Sequence, residues 1–113
     1  MDEGDISLAS LPQANGLRKA RPVVLLRRMP PFDDWLVCGV STQLHQHVAN
    51  FDELVGISDA DFRGSGLKAA SVIRLGFLTT LPATQFLGTI GVISRARHQR
   101  LLQRLSEHLH KVP

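Results

Sequence analysis

At 113 residues the chain has the length of one domain. With 43% hydrophobic residues it can build a core without staples, which excludes a largely disordered chain, and its single cysteine, Cys38, excludes an internal disulfide and a structural zinc site of the common type. The net charge is +3 but unevenly spread: residues 94–113 hold Arg95, Arg97, Arg100, Arg104 and Lys111 against Glu107, residues 16–29 hold Arg18, Lys19, Arg21, Arg27 and Arg28 with no acid, and residues 50–62 hold Asp52, Glu53, Asp59 and Asp61 with no base.

Segregated charge suggests an anionic partner, nucleic acid among the candidates, although most basic clusters are only solvated surface. The first twenty residues carry Asp2, Glu3 and Asp5 and no apolar block, so no secretory signal is read there and a cytoplasmic location is expected. The domain is expected to span 1–113, with residues 1–4 as a flexible lead-in.

In chain order, Ile6, Leu8 and Leu11 mark a first strand, and Pro12-Gln13-Ala14-Asn15-Gly16 supplies turn residues. Pro22 to Met29 reads as a buried strand, ended by Pro30-Pro31, and Trp35 to Val40 as the next, with Cys38 a buried, inert thiol. Gln43 to Asn50 is polar and reads as a loop. Phe51 to Val55 suits a short edge strand, and Ile57 to Phe62 one helical turn capped by Ser58. Gly64-Ser65-Gly66 reads as flexible.

Ser71 to Leu78 and Phe86 to Ile93 complete the strands. The uncharged stretch Leu75–Ser94 is long enough to raise a membrane helix, but its glycines, proline and threonines read as two buried strands with a turn. Ser94 then caps a helix to about His110, with Leu101, Leu102, Leu105 and Leu109 on one face. The fold class is therefore mainly β with a C-terminal helix, a small barrel whose closure would remove exposed edges.

Three local motifs and the tail resemble the MazF/PemK toxin family. They are Gly4-Asp5-Ile6-Ser7-Leu8 with Asn15-Gly16 and Lys19-Ala20-Arg21-Pro22-Val23-Val24; Cys38-Gly39-Val40-Ser41-Thr42; Gly66-Leu67, Ser71-Val72-Ile73-Arg74 and Leu78-Thr79-Thr80-Leu81; and Ile90-Gly91-Val92-Ile93-Ser94 before the last helix. The resemblance spans residues 4 to about 109. It implies an SH3-like barrel, a homodimer, and an endoribonuclease (mRNA interferase) that cuts single-stranded RNA and is held in check by a cognate antitoxin. It also implies cleavage without metal or cofactor, the ribose 2′-hydroxyl attacking its own phosphate.

The resemblance carries Arg21, Ser41, Thr42 and Arg74 over as catalytic candidates. A fixed guanidinium suits a phosphate in transition, and strand-end hydroxyls can orient one. Alternatively, Arg21 pairs with a local carboxylate, and the hydroxyls merely satisfy a loop. Two departures matter. Gly76 stands where some members carry an acid, and Leu17-Arg18 where many carry His-Glu or Ser-Glu. The expected general base is missing from both places. His45 and His47 are the substitutes, since histidine titrates near neutral pH; both could equally be solvated loop residues.

Asn15, Gly16, Arg18, Lys19, Arg63 and Lys68 are the RNA-binding candidates around the presumed cleft. Trp35, Phe77 and Phe86 read as core, and Phe32 and Phe62 as the better stacking candidates. Arg97, Arg100 and Arg104 offer a second possible surface but read better as solvated, as do the helix histidines His98, His108 and His110. Two other readings stay open: a catalytically weak barrel that binds an antitoxin peptide or nucleic acid without cutting, and a CcdB-like toxin that poisons gyrase.

Overall fold

A computed structural model describes residues 1–113. Six antiparallel strands form one curled sheet: β1 (Asp5–Pro12), β2 (Arg18–Met29), β3 (Asp34–Ser41), β4 (Glu53–Val55), β5 (Ser71–Leu81) and β6 (Phe86–Val92), in the order β4-β5-β3-β2-β1-β6. A four-residue helix, α1 (Phe62–Ser65), precedes β5, and a sixteen-residue helix, α2 (Arg95–His110), follows β6. The chain is mainly β with a C-terminal helix, as its pattern predicts. No helix is long and apolar enough to cross a membrane.

The curl leaves apolar side chains on both faces of the central strands, which explains the continuous apolar run of β2. Val24 and Leu26 join Ile6, Cys38, Val40, Ile73 and Leu75 in a core covered by Leu101 and Leu105 of α2. Val23 and Leu25 point the other way, into a smaller core with Ala9, Leu11, Trp35 and Val37. Each such buried aliphatic side chain contributes about 1.5–3 kcal/mol. Burial also pushes the Cys38 thiol well above its ordinary pKa, so it stays protonated and inert. α2 begins where the sequence places it, with Ser94 Oγ accepting from the Arg97 amide at 3.2 Å.

Two backbone irregularities shape the end of the sheet near Ser41. β2 pairs with β3 only from Val23 onward, opposite Gly39, so at Arg21 and Pro22 the strand has β1 as its one neighbour. This tolerates a proline in an otherwise central strand. Between β3 and β5 the register jumps, Cys38 facing Leu78 but Gly39 facing Arg74, so Leu75, Gly76 and Phe77 bulge out of the ladder. The Leu75 amide donates instead to Asp52 Oδ1 at 3.0 Å, and Asp52 Oδ2 accepts from the Val48 amide at 2.9 Å. The buried Asp52 carboxylate thus ties the bulge to the preceding turn.

β4 and β6 do not hydrogen-bond to each other, so the barrel is not closed by a ladder. The gap is filled by α1 and Gly66, whose φ is +72°, packed backbone to backbone against Ile90 and Gly91. A side chain at Gly66 or Gly91 would collide with that opposing backbone.

Several local expectations change. The turn predicted at Ile57–Phe62 forms later, as α1, with Asp61 rather than Ser58 at its N-cap position. Ser65, expected in a flexible stretch, is buried. The Gln43–Asn50 loop contains a 3-10 turn at Leu44–Gln46. Gly4, in the expected flexible lead-in, is buried; its amide donates to Leu25 O at 2.7 Å and its carbonyl accepts from the Ile93 amide at 3.0 Å. Leu75–Ser94 is not two buried strands: Leu87, Ile90 and Val92 of β6 are exposed. Phe62 packs on the main core, and Leu109 lies outside it, exposed.

Candidate functional site

The two irregularities open a cavity of about 540 Å³ at the end of the sheet. Its walls come from the end of β1 and the following loop (Leu11 to Ala14), from β2 (Arg21, Pro22), from β3 and the turn after it (Gly39 to Gln43, Gln46), and from β5 (Arg74, Phe77). Arg21, Ser41, Thr42 and Arg74, separated by up to fifty-three positions in sequence, therefore share one cavity. Neither the Arg21 nor the Arg74 side chain makes a hydrogen bond or ion pair within the chain (Arg21 exposed, Arg74 half-buried). The alternative reading of Arg21, as a structural arginine paired with a nearby carboxylate, finds no support. Ser41 Oγ accepts from the Gln43 amide at 3.0 Å, which fixes the turn and leaves its hydroxyl hydrogen free to donate.

No aspartate, glutamate or histidine lines the cavity. His45 is exposed and outside it. The cavity can hold an anion between two permanent cations and several neutral donors, but contains no group that takes up a proton near neutral pH. No cluster of metal-ligating side chains occurs in the chain. Gln46 presents a buried Oε1 without a hydrogen-bond partner, and an unmet acceptor costs about 1–3 kcal/mol.

Phe77 corrects a sequence expectation. It is not core but 43% exposed, packed on Gly39 and lining the cavity. The alternation of β5 cannot show this, because the bulge resets it. Phe32 is exposed but lies at the β2–β3 turn, beyond the Met29–Asp34 pair and at the other end of those strands from the cavity.

The remaining RNA-binding candidates divide. Asn15 and Gly16 continue the loop whose Gln13 and Ala14 line the cavity; Asn15 Oδ1 accepts from the Leu17 amide at 3.0 Å, and Gly16 takes φ +82°. Lys19 lies two residues before Arg21, exposed and opposite Leu11. Arg18 is engaged elsewhere, donating to Ser10 Oγ (2.9 Å), Ser10 O (2.6 Å) and Gln85 Oε1 (2.6 Å). Arg63, on α1, and Lys68 line no part of the cavity.

The charge segregation resolves against expectation, because the acidic and basic clusters meet each other. Arg97, read as solvated, is buried, and donates to Asp61 (2.8 and 2.9 Å), Glu53 (3.0 Å), Asp59 (3.1 Å) and Leu54 O (2.7 Å). Arg100 and Arg104 both reach Glu53, at 2.8 and 2.6 Å. Hydrogen bonds from Arg97 hold Asp61 down to about 2 despite partial burial. Burial alone would raise Glu53, but the Arg100 hydrogen bond and the surrounding guanidinium charges outweigh it and lower its pKa. His98, also read as solvated, places Nε2 2.9 Å from Leu26 O, and His108 packs its ring 5.0 Å from that of Phe51.

The chain thus combines a curled antiparallel sheet, a C-terminal helix packed on it, and an arginine- and hydroxyl-lined cavity at one end. The sequence pattern of PemK-like, MazF-like toxins of type II toxin-antitoxin systems matches residues 2–109, and the chain belongs to that family. Among solved structures, Mycobacterium tuberculosis toxin MazF-mt6 is similar, with a TM-score of 0.70, 21% identity, and coverage of 96% of this chain and 99% of that one. That likeness bears on the fold. Comparison with curated proteins gives no match.

Proposed function

We propose that the chain is a metal-independent endoribonuclease toxin acting on single-stranded RNA in the cytoplasm, as a homodimer neutralised by a cognate antitoxin. One observation carries the reading: two unpaired guanidinium groups, Arg21 and Arg74, meet the Ser41 and Thr42 hydroxyls in one cavity free of carboxylates. A phosphodiester is the anion that such a planar, multi-donor site suits. Exposed Leu87, Ile90 and Val92 on the edge strand β6 support association with a second copy.

In this mechanism the 2′-oxygen bonds to phosphorus, the bond from phosphorus to the 5′-oxygen breaks, and the products are a cyclic phosphate and a 5′-hydroxyl end. The arginines stabilise the charge that grows on the phosphoryl oxygens, while Ser41 and Thr42 orient them. One such donor is worth roughly 10²–10³ in rate. The 2′-proton passes to water or hydroxide, and the leaving oxygen takes a proton from water. Asn15, Gly16 and Lys19 flank the RNA path near the cavity.

The test is incubation of purified protein with long single-stranded RNA in chelator. Discrete cuts with 5′-hydroxyl ends are expected, slowed at least 100-fold by Arg21→Ala or Arg74→Ala. The rate should rise with pH without the inflection that a histidine base would leave near 6.5, and His45→Ala should stay within about twofold of wild type. Intact RNA at high protein concentration overturns the reading. The absence of any carboxylate or imidazole from the cavity favours, as the second reading, a barrel that binds RNA or an antitoxin peptide without cutting.

A further inference from the structure

We infer that Phe77 and Gln46 form a subsite for one unpaired nucleobase, the ring stacking on the base and the amide reading its edge. The inference rests on the ribonuclease reading and names which part of the cavity holds something other than phosphate.

Three observations carry it. The β5 bulge takes Phe77 out of alternation and leaves the ring 43% exposed in the same cavity as Arg21 and Arg74. Gly39 makes this placement available: a Cβ there would lie 3.0 Å from Phe77 Cδ1 and 3.2 Å from Cγ, so the ring rests on bare backbone. An aromatic side chain fixed on one side and open on the other is a platform, and every base has a π-face to lay on it. Finally, Gln46 lines the cavity, and its Oε1 is buried without a hydrogen-bond partner. Nothing bonds that oxygen in place, so rotation of the side chain offers the amide to a ligand in the cavity. Base edges carry donors next to acceptors, and an amide, with one acceptor and two donors, can pair with both.

The arginines supply the complementary constraint. A phosphate held by Arg21 and Arg74 tethers the attached nucleoside within reach of the ring, so stacking follows without loss of further chain freedom. Phosphate contacts position the strand and carry no sequence information, whereas the amide contact does. Phe77 therefore contributes affinity to any base, and Gln46 contributes the preference among them.

The experiment measures binding of single-stranded 2′-fluoro pentanucleotides of adenine, cytosine or uracil, which lack the attacking hydroxyl and cannot be cut. Phe77→Leu should weaken all three by about 5- to 100-fold, and Phe77→Tyr should bind as wild type. Gln46→Leu should reduce the spread among the three to within about twofold. If Arg21→Ala weakens binding but Phe77→Leu stays within twofold of wild type, the cavity holds phosphate only and the subsite is overturned. An unchanged spread in Gln46→Leu overturns the role of the amide. If wild type cuts long RNA yet binds none of the three, the subsite is overturned and the ribonuclease reading stands; if it neither cuts nor binds, the ribonuclease reading itself fails. Should Phe77→Leu spare RNA binding yet weaken a complex with the cognate antitoxin, the ring serves a protein partner and the inference falls. Thermal melting of each variant separates loss of binding from loss of fold.

Discussion

Two arginine-bearing regions, one on α2 and one at the end of the sheet, behave in opposite ways. At the start of α2, Arg97 spends its donors on Asp59, Asp61, Glu53 and a backbone carbonyl, and is buried with them. In the cavity, Arg21 and Arg74 have no intramolecular partner. The first region has internal anions matched to its charge; the second has charge and no anion. The contrast teaches that a count of basic residues says little about ligands until their internal partners are known. The strongly basic tail is largely neutralised by the chain's own acids, while the less conspicuous pair holds the available field.

Breaking the first region should have the largest effect on stability. Arg97→Leu leaves Glu53 and Asp61 without their principal partner and should cost about 3–5 kcal/mol in denaturant unfolding. The reverse holds for the cavity: Arg21→Ala should slow RNA cleavage as stated above, yet change unfolding by no more than about 0.5 kcal/mol, because nothing in the chain loses a partner. If Arg21→Ala instead destabilises strongly, the contrast between the regions collapses.

Acid titration sharpens the comparison further. Asp61 lies below its ordinary value in the folded state, so its contribution is fully present above about pH 4 and is lost as pH falls toward about 2. Its size is on the order of 2 kcal/mol, with Glu53 acting in the same direction. Unfolding measured between pH 5 and 2 should show this loss in wild type, and a shallower one in Arg97→Leu. Within the acid–base-paired region the smallest loss is expected for Ser94→Ala, which removes the α2 cap and should cost about 1 kcal/mol by thermal or urea melting.

Much of the fold was legible in the sequence because β-branched and leucine-rich runs, prolines and a serine cap are local signals. Val23 to Leu26, the Trp35 strand and the start of α2 fall where such signals place them. The resemblance to MazF/PemK toxins groups Arg21, Ser41, Thr42 and Arg74 from sequence alone, and all four line one cavity. What could not be read was non-local. The pairing of Arg97 with Asp61 spans thirty-six positions, and neither cluster announces the other. Phe77 follows from a register jump, and strand alternation predicts the wrong side once three residues leave the ladder. The helical turn expected at 57–62 starts instead at Phe62, and Asp61 at its N-cap position makes no capping hydrogen bond, because its carboxylate accepts from the distant Arg97 guanidinium and the Ser94 amide.

The seam between α1 and β6 has a mechanical meaning. Where Gly66 meets Ile90 and Gly91, the two sides touch but share no ladder. Contact of this kind resists compression and shear but offers little resistance to peeling, since no row of bonds must break in concert. β6 is thus held along one border by β1 and merely abutted along the other. β6 also carries exposed Leu87, Ile90 and Val92, so a second copy bound there would act as a clasp on this weakly fastened margin of the sheet.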